Sequence, residues 1–181
     1  VVHPTAAAGS TVGLDCDTPT NTLNGTGTST GANFSYTWST QDGQIISGVN
    51  TLQPQVGDPG TYVLTVLNTS NGCVSTDNVL VTEDVTPPAF TIGNPQLLTC
   101  LLTNTNVTGS GTGFGPAPTY SWSTSNGNIV NGGSTLSANV DAPGTYTLTV
   151  VNTQNGCSDT EQVTVTEDVA PPQVNTVPVS P

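Results

Sequence analysis

Lysine and arginine are absent from the 181 residues, which carry twelve Asp and Glu and a formal net charge of −12. A chain without basic side chains cannot neutralise phosphates, which excludes nucleic acid as a partner. Anionic membrane surfaces repel it for the same reason. No run approaches the roughly 18 apolar residues of a membrane span, so the sequence predicts no direct membrane insertion. Lysine-based catalysis and Lys–Asn isopeptide cross-links are impossible, and trypsin has nowhere to cut. Histidine occurs once, as His3 near the start, which leaves a Ser-His-Asp device without a positioned base. No CxxC pair accompanies that histidine, so a zinc site is excluded too. These absences together predict a protein that is not an enzyme. The opening VVHPTAAAGS lacks the basic start of a signal peptide and reads as a mature or excised chain.

What the chain does have, it has twice. Cys16, Trp38 and Cys73 return 84 positions later as Cys100, Trp122 and Cys157. PGTYVLTVLNTSNGC, residues 59–73, and PGTYTLTVVNTQNGC, residues 143–157, differ at three places. A fixed period of this length marks one folding unit in tandem. The expected domains are repeat 1 over residues 1–84 and repeat 2 over 85–168. Residues 169–181 are a linker or the first strand of a following repeat, because Val169-Ala170-Pro171-Pro172 returns in the phase of Val85-Thr86-Pro87-Pro88.

Period-two alternation announces strands. Phe34, Tyr36 and Trp38 alternate with Ser35, Thr37 and Ser39; Tyr146, Leu148 and Val150 alternate with Thr145, Thr147 and Thr149. Leu52 with Val56, and Leu136 with Val140, suggest a shorter strand in each repeat. Val79, Val81, Val163 and Val165 mark the last strand of each. Asp42-Gly43, Asn126-Gly127, Asn71-Gly72 and Asn155-Gly156 are dipeptides that tolerate the positive φ of tight hairpins. No segment has a helical period. About seven short strands per repeat and a Cys…Trp…Cys frame predict an all-β chain of two tandem immunoglobulin-like antiparallel sandwiches. Trp38, Tyr62, Trp122 and Tyr146 are the expected core.

Four cysteines allow three pairings, and the repeat phase favours Cys16–Cys73 and Cys100–Cys157. Each bridge would close a loop of about 58 residues and contribute roughly 4 kcal/mol in the chain-entropy model. Structural disulfides imply an oxidising, extracellular setting. The acidic pairs Glu83-Asp84 and Glu167-Asp168 precede the two proline-rich joints and are the candidate metal ligands. Calcium takes six to eight oxygens, so these carboxylates with neighbouring carbonyls, and Asp15, Asp17 or Asn94, would form its site. Asp42 and Asp58 have Asn126 and Ala142 as counterparts, so no acid is singled out by the repeat.

The combination of Tyr36-Thr37-Trp38 with its DG turn, PGTY-x-LTV-x-N and NGC resembles the polycystic-kidney-disease (PKD)-like subgroup of immunoglobulin-like domains. LTC…YSWST…G-x-I…PGTYTLTV-x-NT-x-NGC…VTVTEDV-x-PP is similar to the tandem repeats of very large cell-surface adhesins of gliding bacteria. Repeat 1 departs at its start, with GLDC in place of LLTC. The resemblance implies β-sandwich beads at the cell surface with roles in adhesion or gliding, partnered by neighbouring repeats or other copies of a filament. Two alternatives stand beside that reading. One is a self-assembling filament subunit whose C-terminal segment adds a strand to its neighbour. The other is a glycan-binding accessory module of a secreted enzyme, which would need exposed aromatics.

Overall fold

The computed structural model describes residues 2–171. The reading of 169–181 as linker or surplus strand therefore falls mostly outside the described residues. The chain divides into two compact units. Unit 1 comprises Val1–Thr86 with Asn155–Cys157; unit 2 comprises Pro87–Gln154 and the chain from Ser158 on. Among the described residues, no helix is long and apolar enough to cross a membrane.

Unit 1 holds β1 (Val12–Asp15), β2 (Asn21–Thr22), β3 (Phe34–Thr40), β4 (Ile45–Ser47), β5 (Gln55–Val56), β6 (Gly60–Asn68) and β7 (Cys73–Asp84). They form two sheets, β1-β7-β6-β3 and β2-β5-β4. The division places β3, β6 and β7 where an immunoglobulin domain has strands C, F and G, and β2, β4 and β5 where it has B, D and E. Inward positions follow the alternation: Trp38, Tyr62, Leu64, Val66, Val79 and Val81 pack with Leu14, Leu23 and Val56 into one core.

Unit 2 holds β8 (Ala89–Ile92), β9 (Leu98–Thr99), β10 (Thr105–Thr112), β11 (Thr119–Thr124), β12 (Ile129–Asn131), β13 (Ser137–Val140), β14 (Gly144–Val151), β15 (Ser158–Val165) and β16 (Glu167–Asp168). Its sheets run β12-β13-β10-β8 and β11-β14-β15, with the short pair β16-β9 beside them. This is the ABED and CFG partition of an immunoglobulin-like sandwich. Trp122, Tyr146, Leu148, Val150, Val107, Val140 and Val165 fill the core at the positions their counterparts take in unit 1.

The buried polar groups of these cores are satisfied. Tyr62 donates its hydroxyl to the Asp58 carbonyl at 2.7 Å and accepts from the Gln44 amide at 2.9 Å. Tyr146 does the same with Ala142 and Asn128 at 2.7 and 2.9 Å. A tyrosine at the start of the F-position strand that bonds back four residues is the tyrosine corner of this fold. Trp38 and Trp122 donate their indole N–H to Thr51 and Thr135 at 2.8 and 3.0 Å. Among the described residues, no buried side-chain nitrogen or oxygen lacks a partner.

Three local expectations change. The sandwiches are not wholly antiparallel: β1 pairs with β7 in parallel, and β9 with β16 likewise. The first edge strand follows the last strand in the same direction, a long-range pairing that no local pattern encodes. Leu52 and Leu136 lie outside β5 and β13, on the loops that feed them. Gly43 and Gly127 do not adopt positive φ. Glycine is required there because a Cβ would overlap the hydroxyls of Tyr62 and Tyr146. Gly72 and Gly156, in contrast, turn at φ +70° and +69°.

Candidate functional site

The cysteines carry the main correction. Cys16 is bonded to Cys157, 141 residues away, and neither Cys16–Cys73 nor Cys100–Cys157 forms. Cys73 and Cys100 are free thiols, the first half-buried and the second exposed. Periodicity could not separate these pairings. A bond from repeat n to repeat n and one from repeat n to repeat n+1 use the same two positions of the period.

The bond is built from two turns. At the end of β1, the Asp15 carboxylate accepts from the Thr18 amide at 2.7 Å, the Thr18 hydroxyl at 2.6 Å and the Asp17 amide at 3.0 Å. This local cap ends the strand and turns out Cys16, a use of Asp that competes with extended backbone. The other turn is Asn155-Gly156-Cys157. Its Asn155 side-chain oxygen accepts from the Cys157 amide at 3.1 Å, while its carbonyl accepts from the Cys16 amide at 2.9 Å. The Asn155 amide group then donates to the Asp84 carboxylate at 3.1 Å and the Thr86 carbonyl at 3.0 Å. Gly156 sits against the Asp17 carboxylate, where a Cβ has no room. Asn155 is 3 % and Cys157 2 % exposed.

Asp84 also accepts from the Thr86 amide at 3.2 Å. That bond, followed by the Asn155 amide, holds its carboxyl below the ordinary carboxylate range, although Asp15 across the parallel pair opposes the shift. The Thr18 hydroxyl does the same for Asp15. A group whose folded pKa is depressed contributes stability above its unfolded pKa, about 3.9 for Asp, and loses it as pH falls through the folded value. Thermal stability is accordingly expected to hold from neutrality down to about pH 4 and to fall below it. In Asp84→Asn the acid slope below pH 4 becomes shallower, as a series of melting curves would show; an unchanged slope would remove Asp84 from this role.

The acidic pairs do not gather with other carboxylates among the described residues. Glu83 and Glu167 are exposed strand residues, and Asp84 is committed to Thr86 and Asn155. Asp168 accepts from the Ala170 amide at 3.3 Å. Among the described residues, no three His, Cys, Asp or Glu come together in a metal-holding group. His3 is exposed. One open depression is lined by Ser39, Thr40, Gln41, Asp42, Thr61 and Val63; a second by Asn94, Gln96, Asn104, Thr105, Asn106 and Asn139. Neither presents an aromatic platform for a sugar, and in the first the Thr40 hydroxyl donates to the Asp42 carboxylate at 3.2 Å. Asp42 serves the fold instead. Its side-chain oxygen accepts from the Thr61 amide at 2.9 Å, and Asn126 accepts from Thr145 at the same distance. An Asp and an Asn are interchangeable there because only one oxygen is used.

Sequence patterns mark all four cysteines but not Asn155, Gly156, Asp15 and Asp84 as their setting. The signal was available in the NGC triplet that ends on each second cysteine.

No family model matches this chain, and no curated protein does. Solved structures resemble it at low identity. The three N-terminal domains of the bacteriophage RB49 highly immunogenic outer capsid protein are 18 % identical over 91 % of this chain and 58 % of theirs, with a TM-score of 0.45. Extracellular domains 3–5 of Drosophila OTK are 14 % identical over 92 % of this chain and 62 % of theirs, at 0.41. The eight N-terminal Ig domains of the Down syndrome cell adhesion molecule are 10 % identical over 93 % of this chain and 24 % of theirs, at 0.47. The chain thus spans less than two thirds of these structures. Its assignment as a tandem of immunoglobulin-like sandwiches rests on the strand order and tyrosine corners of its own two units.

Proposed function

We propose that this chain is a non-enzymatic structural repeat of an extracellular surface adhesin or filament, a disulfide-stapled stalk that projects an adhesive region from the cell. One observation carries the reading. The Cys16–Cys157 bond takes the residues between them out of the load path when the chain is pulled from its ends. Tension passes from Cys16 through the sulfurs to Cys157, so the 141-residue separation cannot lengthen even if both cores unfold. Extended chain spans at most about 3.3–3.6 Å per residue, so the bond withholds roughly 450–500 Å of lengthening. That is a property a load-bearing spacer needs and a catalytic domain does not.

Two further features support an extracellular setting. Disulfides persist in oxidising compartments. The acidic surface without Lys or Arg keeps the chain soluble and leaves no trypsin site. The resemblance of the repeats to those of gliding-bacteria adhesins supports a place at the cell surface.

Single-molecule pulling of the chain between its termini tests the reading. Under non-reducing conditions the extension stays within what the short terminal segments allow. After reduction the same molecules lengthen by roughly 450–500 Å more. Equal extension with and without reductant would sink the stalk.

A further inference from the structure

Cys73 and Cys100 occupy the positions of Cys157 and Cys16 in the repeat, and each stands in the surroundings of its counterpart. The Asn71-Gly72-Cys73 turn is already formed. Its Asn71 side-chain oxygen accepts from the Cys73 amide at 3.0 Å, and Gly72 has φ +70°, matching Asn155 and Gly156. Its Asn71 amide group donates to the Val2 carbonyl at 3.0 Å, as Asn155 does to Thr86. The surroundings differ in one respect. Asn155 is buried and Gly156 is closed in by Asp17, whereas Asn71 is exposed and Gly72 has nothing within 4 Å.

The receiving half is preformed in unit 2. Asp168 lies opposite Thr99 in the parallel pair, as Asp84 lies opposite Asp15. The Asp168 carboxylate accepts from the Ala170 amide, as Asp84 does from Thr86, but among the described residues no asparagine amide reaches it. The Cys100 thiol is exposed beside it, 4.0 Å from the Val169 carbonyl. Leu101, which follows Cys100 as Asp17 follows Cys16, is 98 % exposed. The corresponding position in unit 1, Asp17, closes over Gly156, whereas Leu101 stands open.

We infer that Cys73 and Cys100 are the two complementary halves of a second linkage of the Cys16–Cys157 kind, and that the partner is another copy of this repeat. The Asn71-Gly72-Cys73 turn of one copy seats on Leu101 and Asp168 of another, and Cys73 joins Cys100. Asn71 supplies Asp168 with the amide that Asn155 supplies to Asp84. Two thiols lose two electrons and two protons to form the bond. A small disulfide such as oxidised glutathione accepts them and leaves as two thiols, by exchange through a mixed disulfide. The second linkage rests on the repeat geometry, and the pulling experiment, which reads Cys16–Cys157 alone, stands or falls without it.

Two variants of the 181-residue chain test the complementarity. Cys73→Ser leaves Cys100 free, and Cys100→Ser leaves Cys73 free. Non-reducing peptide mapping first establishes that each retains Cys16–Cys157. The two are mixed in equal amounts with oxidised glutathione, and products are resolved by non-reducing mass spectrometry. Random coupling yields as much heterodimer as both homodimers together. Heterodimer is expected to exceed the homodimers by about tenfold, the value of one charge-assisted hydrogen bond. Adding Asn71→Ala to the Cys100→Ser variant is expected to remove that preference and leave alkylation of Cys73 by iodoacetamide unchanged. A random distribution, predominant homodimers, or glutathione adducts without dimer would each overturn the second linkage.

Discussion

Replacing Cys157 by serine is expected to lower the stability of the chain by about 5 kcal/mol, the chain-entropy value for a loop of this length. With 2–4 °C lost per kcal/mol in a chain of this size, the melting temperature falls by roughly 10–20 °C. Cys16→Ser gives the same loss, and the double variant loses no more than either single one, because both remove one bond. Cys73→Ser and Cys100→Ser stay within about 0.5 kcal/mol of the parent. This pattern separates the structure from bridges confined within each repeat, for which all four substitutions would be costly. Calorimetry of the four variants decides it; a large loss in Cys73→Ser would overturn the pairing.

Trp38→Ala carries the second large effect. The side chain is 1 % exposed at the centre of the unit 1 core, between β6 and the loop that carries Thr51. Truncation removes the largest side chain of that core and leaves a cavity, at about 3–5 kcal/mol. It also strips the Thr51 carbonyl of its indole donor. Trp38→Phe retains most of the apolar volume and loses only the N–H, which costs about 1–3 kcal/mol. Trp122→Ala, whose indole bonds Thr135, is expected to behave like Trp38→Ala. Urea denaturation of the three variants provides the comparison. A Trp38→Ala chain as stable as the parent would mean that Trp38 does not organise this core.

The sandwich was legible because its signals are local. Period-two alternation marks Tyr146, Leu148 and Val150 in the sequence, and the same residues are fully buried in β14. The Asn-Gly turns announce positive φ at Gly72 and Gly156. The less legible features are long-range. The parallel pairing of β1 with β7 joins Val12 to Val81, and no window of sequence contains both. Gly43 reads as a turn residue, yet it is fixed by the hydroxyl of Tyr62, which arrives from another strand. The disulfide is the extreme case. Cys16 had two partners of identical phase, and what selects Cys157 is the set of hydrogen bonds in which Asn155 donates to Asp84 and Thr86 and accepts from Cys16. Those bonds exist only once the chain has folded.

This selection also accounts for the distribution of polar residues around the cysteines. Asp15, Asp84 and Asn155 look like solvated surface groups in the sequence. In the structure each commits its side-chain oxygens or amide to backbone groups within the linkage. A chain with no Lys or Arg cannot use their salt bridges for this, so hydrogen bonds from backbone amides take their place in stabilising the carboxylates. The acid sensitivity expected below pH 4 follows from that substitution.

The most direct measurement is a disulfide map of the unreduced protein, digested with a protease that cuts after Asp and Glu. Asp17, Asp42 and Asp58 separate Cys16 from Cys73, and Asp141 separates Cys100 from Cys157. One linked pair of peptides carrying Cys16 and Cys157 is expected, with Cys73 and Cys100 outside that pair. Peptides linking Cys16 to Cys73 and Cys100 to Cys157 would contradict it.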